Sequence, residues 1–361
     1  MTRYSATRLQ VLRRCLAEHH LQYTVGIRVP SWPAAEFGKQ GHRALEAYFK
    51  AWELKAPREM RLNAGLAELA KVADLVDRAK LEVLLVGYDE RWGGEPWEIL
   101  GVEVEFEYQL GRYNLFGRID VIVRDQRDGR VFVVEHKHTT QDTTPGTAYW
   151  EKLTIDGQVS IYIDGAASLG HDVAGCIYDV LVKPQHDLLL ATPEDKREYT
   201  KGKGCKACGG KVGVAGSGNV TVDAEGQLPT YPGTLVACSD CNGTGWKEAP
   251  ALYAKQRAKD ETIDEFRDRL VGVIGENPLG FFQRQPVVRL VDELPRMRLD
   301  LQQAIWLAEE AAAAGVKFRN TDACKRGRDQ LCFFFPVCSG KADVNDTVRF
   351  PRRSTSQPVS T

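Results

Sequence analysis

The stretch Gly117–His138, GRIDVIVRDQRDGRVFVVEHKH, constrains the fold more than any other part of this chain. Two apolar runs rich in β-branched residues flank Arg127-Asp128-Gly129, a turn sequence. Such runs read as adjacent strands of a hairpin or meander. Each carries charge where an apolar strand ordinarily has none: Asp120 in the first, Glu135 and Lys137 at the end of the second. Side chains two apart on a strand share a face, so Glu135 and Lys137 project together and Asp120 can join them from next door. Two carboxylates and a lysine converging at a sheet edge are the parts of a hydrolytic site for a phosphate ester. The carboxylates suit a hard cation, Mg²⁺ or Mn²⁺. The cation would polarise a phosphoryl oxygen and acidify a bound water, and the lysine would orient that water or offset growing charge. Taken alone, the same pattern also describes a cross-strand ion pair at a solvated strand end.

The surroundings form a β-β-β-α-β order. Upstream, Leu9, Leu12 and Leu16 predict a helix over about 5–20, Leu45, Tyr48, Phe49 and Trp52 one over about 37–54, and a third covers about 62–80. From about Ile99 the period becomes two, with Val102, Val104 and Phe106 alternating with Glu103, Glu105 and Glu107. Downstream come a helix over about 149–168 carrying Gln158 and Tyr162, and the apolar strand GCIYDVLVKP. The expected core is α/β with a central mixed sheet flanked by helices. After Pro184, from about 185 to 250, the chain turns Gly-, Thr- and Lys-rich, as an insertion would. Helix is expected again over about 251–274, strand at PVVRLV, and helix over about 294–314. Gln158 and Tyr162, at i and i+4, share a helix face.

Gly41-His42, Gly117-Arg118-Ile119-Asp120, Glu135-His136-Lys137 and Gln158-x-x-x-Tyr162 occur in the order, spacing and context of the PD-(D/E)XK nucleases of the RecB type, which this chain resembles. The resemblance implies a restriction-endonuclease-like core. It implies His42, Asp120 and Glu135 as metal ligands with the His136 carbonyl as another, and Lys137 as the catalytic lysine. Gln158 and Tyr162 would support the site and the DNA path. Glu103 either adds to the acidic site or is an outward-facing strand glutamate beside Glu105 and Glu107.

Of nine cysteines, seven cluster, which reads as metal binding in a reducing compartment rather than as a disulfide framework. Cys15 near one end and Cys324, Cys332 and Cys338 near the other resemble the iron–sulfur nucleases of the AddB, exonuclease V and CRISPR-adaptation type. That resemblance implies a 4Fe–4S cluster stapling the chain ends, although Cys324 and Cys332 stand further apart than in those proteins. A Zn²⁺ site or partly buried thiols are the alternatives. Cys205-x-x-Cys208 and Cys238-x-x-Cys241 have the spacing of a tetrahedral Cys₄ zinc site. The second pair is similar to the CxxCxGxG unit of the DnaJ zinc domain, which implies zinc but not chaperone activity. A zinc-ribbon-like insertion is therefore expected. Cys176, in an apolar strand, reads as a buried small hydrophobe.

The expected division is a nuclease core over 1–184, a zinc-binding insertion over 185–250, a C-terminal helical part over 251–345 packing on the core, and a flexible tail over 346–361. No GxxxxGKS/T, HExxH, deaminase or dinucleotide-binding signature is present. The net charge of −1 means that a DNA partner must be held by a local basic patch. The N-terminal MTRYSATRLQVLRRC lacks the apolar core of a secretory signal, and no apolar run approaches membrane-spanning length. The expectation is thus a cytoplasmic, metal-dependent DNA nuclease without a membrane span, an exonuclease of recombination, repair or phage DNA processing. A helicase or recombination partner, or a homo-oligomer, would supply processivity. A nuclease-like binding module and an RNA-directed nuclease are the alternatives.

Overall fold

The computed structural model describes residues 3–206, 240–242, 244, 246–290, 292–326 and 330–353. It divides into two compact units, Met1–His186 with Arg267–Thr361, and Asp187–Phe266. In the first unit, β1 (Arg3–Tyr4) leads into α1 (Ala6–Arg14), capped by Ser5, whose hydroxyl accepts the Arg8 N–H at 3.2 Å. The helix expected over about 5–20 is interrupted at Cys15, where the backbone turns extended before a short helix, Leu16–His19. The second helix, α2 (Pro33–Glu53), starts with proline at a position where its missing N–H is harmless, and buries Phe37, Leu45, Tyr48, Phe49 and Trp52. The single helix expected over about 62–80 is two, α3 (Arg58–Leu69) and α4 (Leu75–Trp92). Asp74 divides them, because its carboxylate accepts the N–H groups of Val76 and Asp77, both at 2.9 Å, and starts a new helix.

Strands β2 (Trp97–Leu110), β3 (Tyr113–Asp125), β4 (Val131–Thr139) and β5 (Val173–Val182), with the helix α5 (Gly157–Ser168) between the last two, build the sheet. Further on come α6 (Ile263–Glu276), β6 (Phe282–Val287) and α7 (Glu293–Ala313). The strand order is β1–β3–β4–β5–β6, with β2 also paired to β3. The β2–β3 hairpin closes at Leu110–Tyr113, where Gly111 takes the positive φ that a two-residue turn needs. β4 and β5 are parallel, joined through α5, and the other main pairs are antiparallel, so the sheet is mixed. β6 starts earlier than the expected PVVRLV. It lies at the edge, where Pro286 leaves no needed N–H unmade. The helix expected over about 251–274 begins at Ile263, behind a capping box. There the Thr262 hydroxyl accepts the Glu265 N–H and the Glu265 carboxylate accepts that of Thr262.

β2 runs the length of one edge of β3. The opposite edge is shared: β1 pairs at Asn114–Leu115 and β4 only at Val121–Arg124. Residues 116–120 of that edge are left out of the ladder, and the gap opens between Asp120 and Glu135. One core packs α1, α5 and α7 on Ile119, Ile122, Val133 and Tyr178. On the other face Phe49 of α2 meets the His136 ring at 5.2 Å. Gln158 of α5 meets Glu135, the preceding residue. Because successive residues point to opposite faces, helices cover both sides of the sheet. This is the expected α/β architecture.

In the second unit the described residues form a short antiparallel pair, Lys203–Gly204 with Trp246–Glu248, and a bridge between Tyr199 and Leu252. Cys205 and Cys241 are buried together. Cys208 and Cys238 lie outside the described residues. No zinc ribbon is evident among the described residues, so that part of the expected fold is not found.

The placement of α5 rests on close packing. The Phe106 ring lies between Gly117 of β3 and Gly165 of α5, and a Cβ on Gly165 would stand 2.6–2.8 Å from three ring carbons. Phe106 is 4% exposed and has nowhere to retreat. Gly165→Ala should therefore destabilise the protein by about 1–3 kcal/mol, the usual range for overpacking. Adding Phe106→Leu should recover part of the loss. Urea unfolding of both variants checks this, and a neutral Gly165→Ala would show that the helix–sheet distance is soft.

Candidate active site

The gap in the sheet concentrates charge. Asp120, the last β3 residue before the ladder with β4, accepts the His136 N–H through Oδ2 at 2.8 Å. It thereby satisfies a strand amide that has no ladder partner. The same oxygen lies 3.5 Å from His42 Nδ1, on α2, and 3.5 Å from His136 Nδ1. On the other face Glu135 pairs directly with Lys137, two residues along β4. Gln158, in the first turn of α5, donates through Nε2 to Glu135 Oε1 at 2.8 Å and to the Tyr162 hydroxyl at 2.9 Å. Its Oε1 accepts from Lys137 Nζ at 3.4 Å. The expected helix over about 149–168 is broken so that this can happen. It restarts at Gly157 under an Asp156 cap, whose carboxylate accepts the Gln158 N–H at 2.7 Å. His42, Asp120, Glu135, His136, Lys137, Gln158 and Tyr162 are thus brought together around the gap.

The electrostatics follow from burial and these contacts. Glu135 is 2% exposed. Burial pushes its carboxyl up to about 7, against the pull of Lys137 and with the aid of the Asp120 charge. Burial would lower Lys137, but Glu135 outweighs it and holds the ammonium above the ordinary lysine value. Asp120 goes the other way: burial would raise it, yet the imidazoles facing it and the His136 N–H keep it below the usual carboxylate range. Burial lowers His42 below its ordinary value despite Asp120 beside it. Glu135 Oε2 is buried and has no hydrogen-bond partner among the described residues. An unpaired buried acceptor is unusual in a native fold and points to a group that the protein is built to receive.

The chain matches the family model of the PD-(D/E)XK nuclease superfamily over residues 3–339. It belongs to the PD-(D/E)XK nuclease superfamily. The crystal structure of SSO0001 is 18% identical to this PD-(D/E)XK protein over 46% of this chain and 70% of that one. Its TM-score of 0.19 carries no weight for the fold. No curated protein matches the chain.

The metal expectations require correction. Among the described residues no group of three or more His, Cys, Asp or Glu side chains could hold a metal ion. Mg²⁺ or Mn²⁺ on His42, Asp120, Glu135 and His136 is not supported, because the two carboxylates turn to different partners: Asp120 to the histidines, Glu135 to Lys137 and Gln158. The 4Fe–4S cluster on Cys15, Cys324, Cys332 and Cys338 fails likewise. These sulfurs lie in one neighbourhood, but among the described residues they form no group of three or more side chains that could hold a metal ion. Cys332 and Cys338 pack on a small core of Ile27, Phe334 and Phe350. Asn320 N–H approaches Cys15 Sγ at 3.5 Å, and Arg326 approaches Cys332 Sγ at 3.6 Å. The chain ends are held by other means. Phe318 O accepts the Ala17 N–H at 3.2 Å, Asn320 donates to Arg14 O at 2.9 Å, and Pro351 O accepts the Arg28 N–H at 2.8 Å. For zinc, the described residues hold no group of three or more metal-holding side chains, and two of the four expected ligands, Cys208 and Cys238, lie outside them.

Several supporting residues escaped the sequence reading. Tyr88 of α4 donates to Asp179 Oδ2 at 2.9 Å and stands 3.3 Å from His136 Nε2. Arg284 of β6 donates to the same Asp179 oxygen at 2.6 Å and stacks on Trp92 at 4.0 Å. Asp179 lies within an apolar strand, the same signal that singled out Asp120. His138 packs against α2, where a Cβ at Gly41 would overlap its ring. That is why glycine precedes His42. Glu103 of β2, which the sequence left between two readings, has a positive φ of 54° and an ion pair with Arg118 at 2.6 Å.

Removing the Asp179 carboxylate takes away the nearer of Arg284's two counter-charges, leaving the buried guanidinium with Glu95 alone at 3.4 Å. Asp179→Ala should cost about 3–5 kcal/mol in urea unfolding, and a loss under about 1 kcal/mol would mean that the pair contributes little. Glu103 tests the acid cluster. Burial, then Asp120, pushes its carboxyl up to about 7 from 4.5. A raised carboxyl stabilises the fold below about pH 4.5, and that contribution is lost as pH rises through about 7. The fall in urea midpoint between pH 5 and pH 8 should be smaller in Glu103→Gln than in wild type. An equal fall would place Glu103 as already ionised at pH 5.

Proposed function

We propose that this protein is a DNA nuclease that hydrolyses phosphodiester bonds at the gap between β3 and β4, within the RecB-like part of its superfamily. The observation that carries the reading is the buried Glu135 Oε2, unpaired among the described residues, beside the Glu135–Lys137–Gln158 cluster. Its role here is to accept a proton from the attacking water. A carboxyl pushed up to about 7 suits that task near neutrality. Lys137 stabilises the negative charge that builds on the phosphoryl oxygens. The water oxygen forms its bond to phosphorus in line with the departing ester oxygen, which leaves with the bonding pair and is protonated from solvent. Gln158 fixes both Glu135 and Lys137, and Tyr162 fixes Gln158. Asp120 orients His136 and the end of β4 that carries the cluster. With no ATP-binding motif in the sequence, processivity would come from a motor partner or from a ring of copies.

A second reading has an observation of its own. Glu135 and Lys137 neutralise each other, and among the described residues no group of three or more His, Cys, Asp or Glu side chains is placed to hold a metal ion. Both features fit a nuclease-like module that holds nucleic acid without cutting it. End-labelled linear and circular DNA, single- and double-stranded, and an RNA of the same sequence separate the readings. Each is incubated in parallel with divalent salt and with chelator. Wild type should cleave DNA, and Lys137→Ala should cleave about 10²–10³-fold more slowly, as for loss of one transition-state donor. Asp120→Ala should lose activity while keeping its melting temperature within a few degrees. Cleavage of linear DNA alone marks an exonuclease. Binding without cleavage of any substrate supports the module, and cleavage of RNA alone replaces the substrate.

A further inference from the structure

Two clefts in the first unit meet at one arginine. The first, of about 290 Å³, is bounded by Arg13 of α1, by Lys152 and Ile155 ahead of α5, and by Gln158, which also belongs to the carboxylate centre. The second, of about 240 Å³, runs from Arg13 past Cys15 to Phe318 and Arg319. Gln158 borders both the first cleft and the carboxylate centre, and Arg13 borders both clefts, so the two openings lie side by side next to Glu135's cluster.

Two cations along these clefts, Arg13 and Lys152, are uncommitted among the described residues, whereas Arg319 donates to Cys338 O. Arg13 is exposed, makes no hydrogen bond or ion pair with any described residue, and lies beside Gly157 at the start of α5. Its neighbour Arg14 is, by contrast, engaged with Glu18 at 2.8 Å. Lys152 is exposed over the Tyr149 ring at 4.8 Å, without a carboxylate partner among the described residues. The carboxylate at this cleft, Asp156, is occupied in capping α5. Exposed apolar groups flank these cations: Ile155, beside Lys152, is 73% exposed, and Phe318, in the second cleft with Arg13, is 58% exposed. Cations interleaved with exposed apolar and aromatic side chains are what a single nucleic-acid strand requires. Phosphates take the charges and bases stack on the aromatic faces. The cleft volumes lie just below the range of small-molecule sites, about 300–1,000 Å³, which suits nucleotides entering one at a time rather than a duplex.

We propose that these clefts form a track that carries one strand of nucleic acid to the carboxylate centre, with Arg13 gripping a backbone phosphate where the two clefts meet and Phe318 stacking a base further out. The reaction at the end of the track rests on the nuclease reading, whereas strand binding does not. The test is binding of a fluorescently labelled 20-nucleotide oligothymidylate and of a 20-base-pair duplex, in chelator, across a salt series. Full-length wild type is compared with Arg13→Gln, Phe318→Ala and, as a control on α4, Arg91→Gln. Arg13→Gln should weaken single-strand binding about tenfold and reduce the slope of log K against log salt by about 0.7, the value for one lost phosphate contact on a single strand. Phe318→Ala should weaken binding about tenfold or more with the slope unchanged. Arg91→Gln should match wild type. Wild-type affinity and slope in Arg13→Gln would overturn the track, as would duplex binding tighter than single-strand binding. Because binding is read without cleavage, a protein that binds through Arg13 and cuts nothing refutes only the nuclease reading. One that cuts DNA while Arg13→Gln binds normally refutes only the track.

Discussion

The hydrogen bond from the His136 N–H to Asp120 is the contact on which the site depends. Strand β4 leaves β3 after the Val121–Val134 pair, and the freed amide would otherwise be a buried, unsatisfied donor. The carboxylate closes that debt and, in doing so, ends the ladder where Glu135 and Lys137 emerge. A continuous β3–β4 ladder would leave no opening. A backbone pairing defect and the acidic centre are therefore the same feature.

Around that opening the two faces of the sheet do different work. On the α5 face, Gln158 couples Glu135 to Lys137, and the position of Gln158 depends on how closely Gly165 lets α5 approach Phe106. On the α2 face, His136 is bounded by Phe49, Tyr88 and Asp179, with Arg284 reaching in from the edge strand. The carboxyls are split by these surroundings, Asp120 held down and Glu135 pushed up. Environments that drive two carboxyls apart are how one fold obtains a permanent charge and a titratable base from the same residue type.

The cysteine pattern shows how a motif can mislead. Spacing near both ends of the chain suggested a cluster that staples them, but the ends are joined by backbone hydrogen bonds and by the Ile27–Phe334–Phe350 core, on which Cys332 and Cys338 pack as small apolar groups. Within 346–361 the described residues reach 353, and Phe350 is fully buried. The join thus reads as packing, a property that cysteine spacing does not report.

Local chemistry was legible along the chain. Period-two alternation located β2, apolar runs around a turn located β3 and β4, charges inside apolar strands located Asp120, Glu135 and Lys137, and i, i+4 spacing paired Gln158 with Tyr162. These are properties of neighbours on one strand or helix, where pleat and pitch dictate direction. Helix ends were less legible, since the breaks at Asp74 and Asp156 depend on a side chain choosing the backbone over solvent. Tyr88, Asp179 and Arg284 were not legible as a group, because their meeting requires a helix, a central strand and an edge strand to pack together. The sequence by itself determined which residues carry charge into the sheet and which faces they share. Only the tertiary structure decided that β3 and β4 part beside Asp120, which carboxyl is paired with what, and which arginines stay free, because each depends on contacts between segments far apart in the chain.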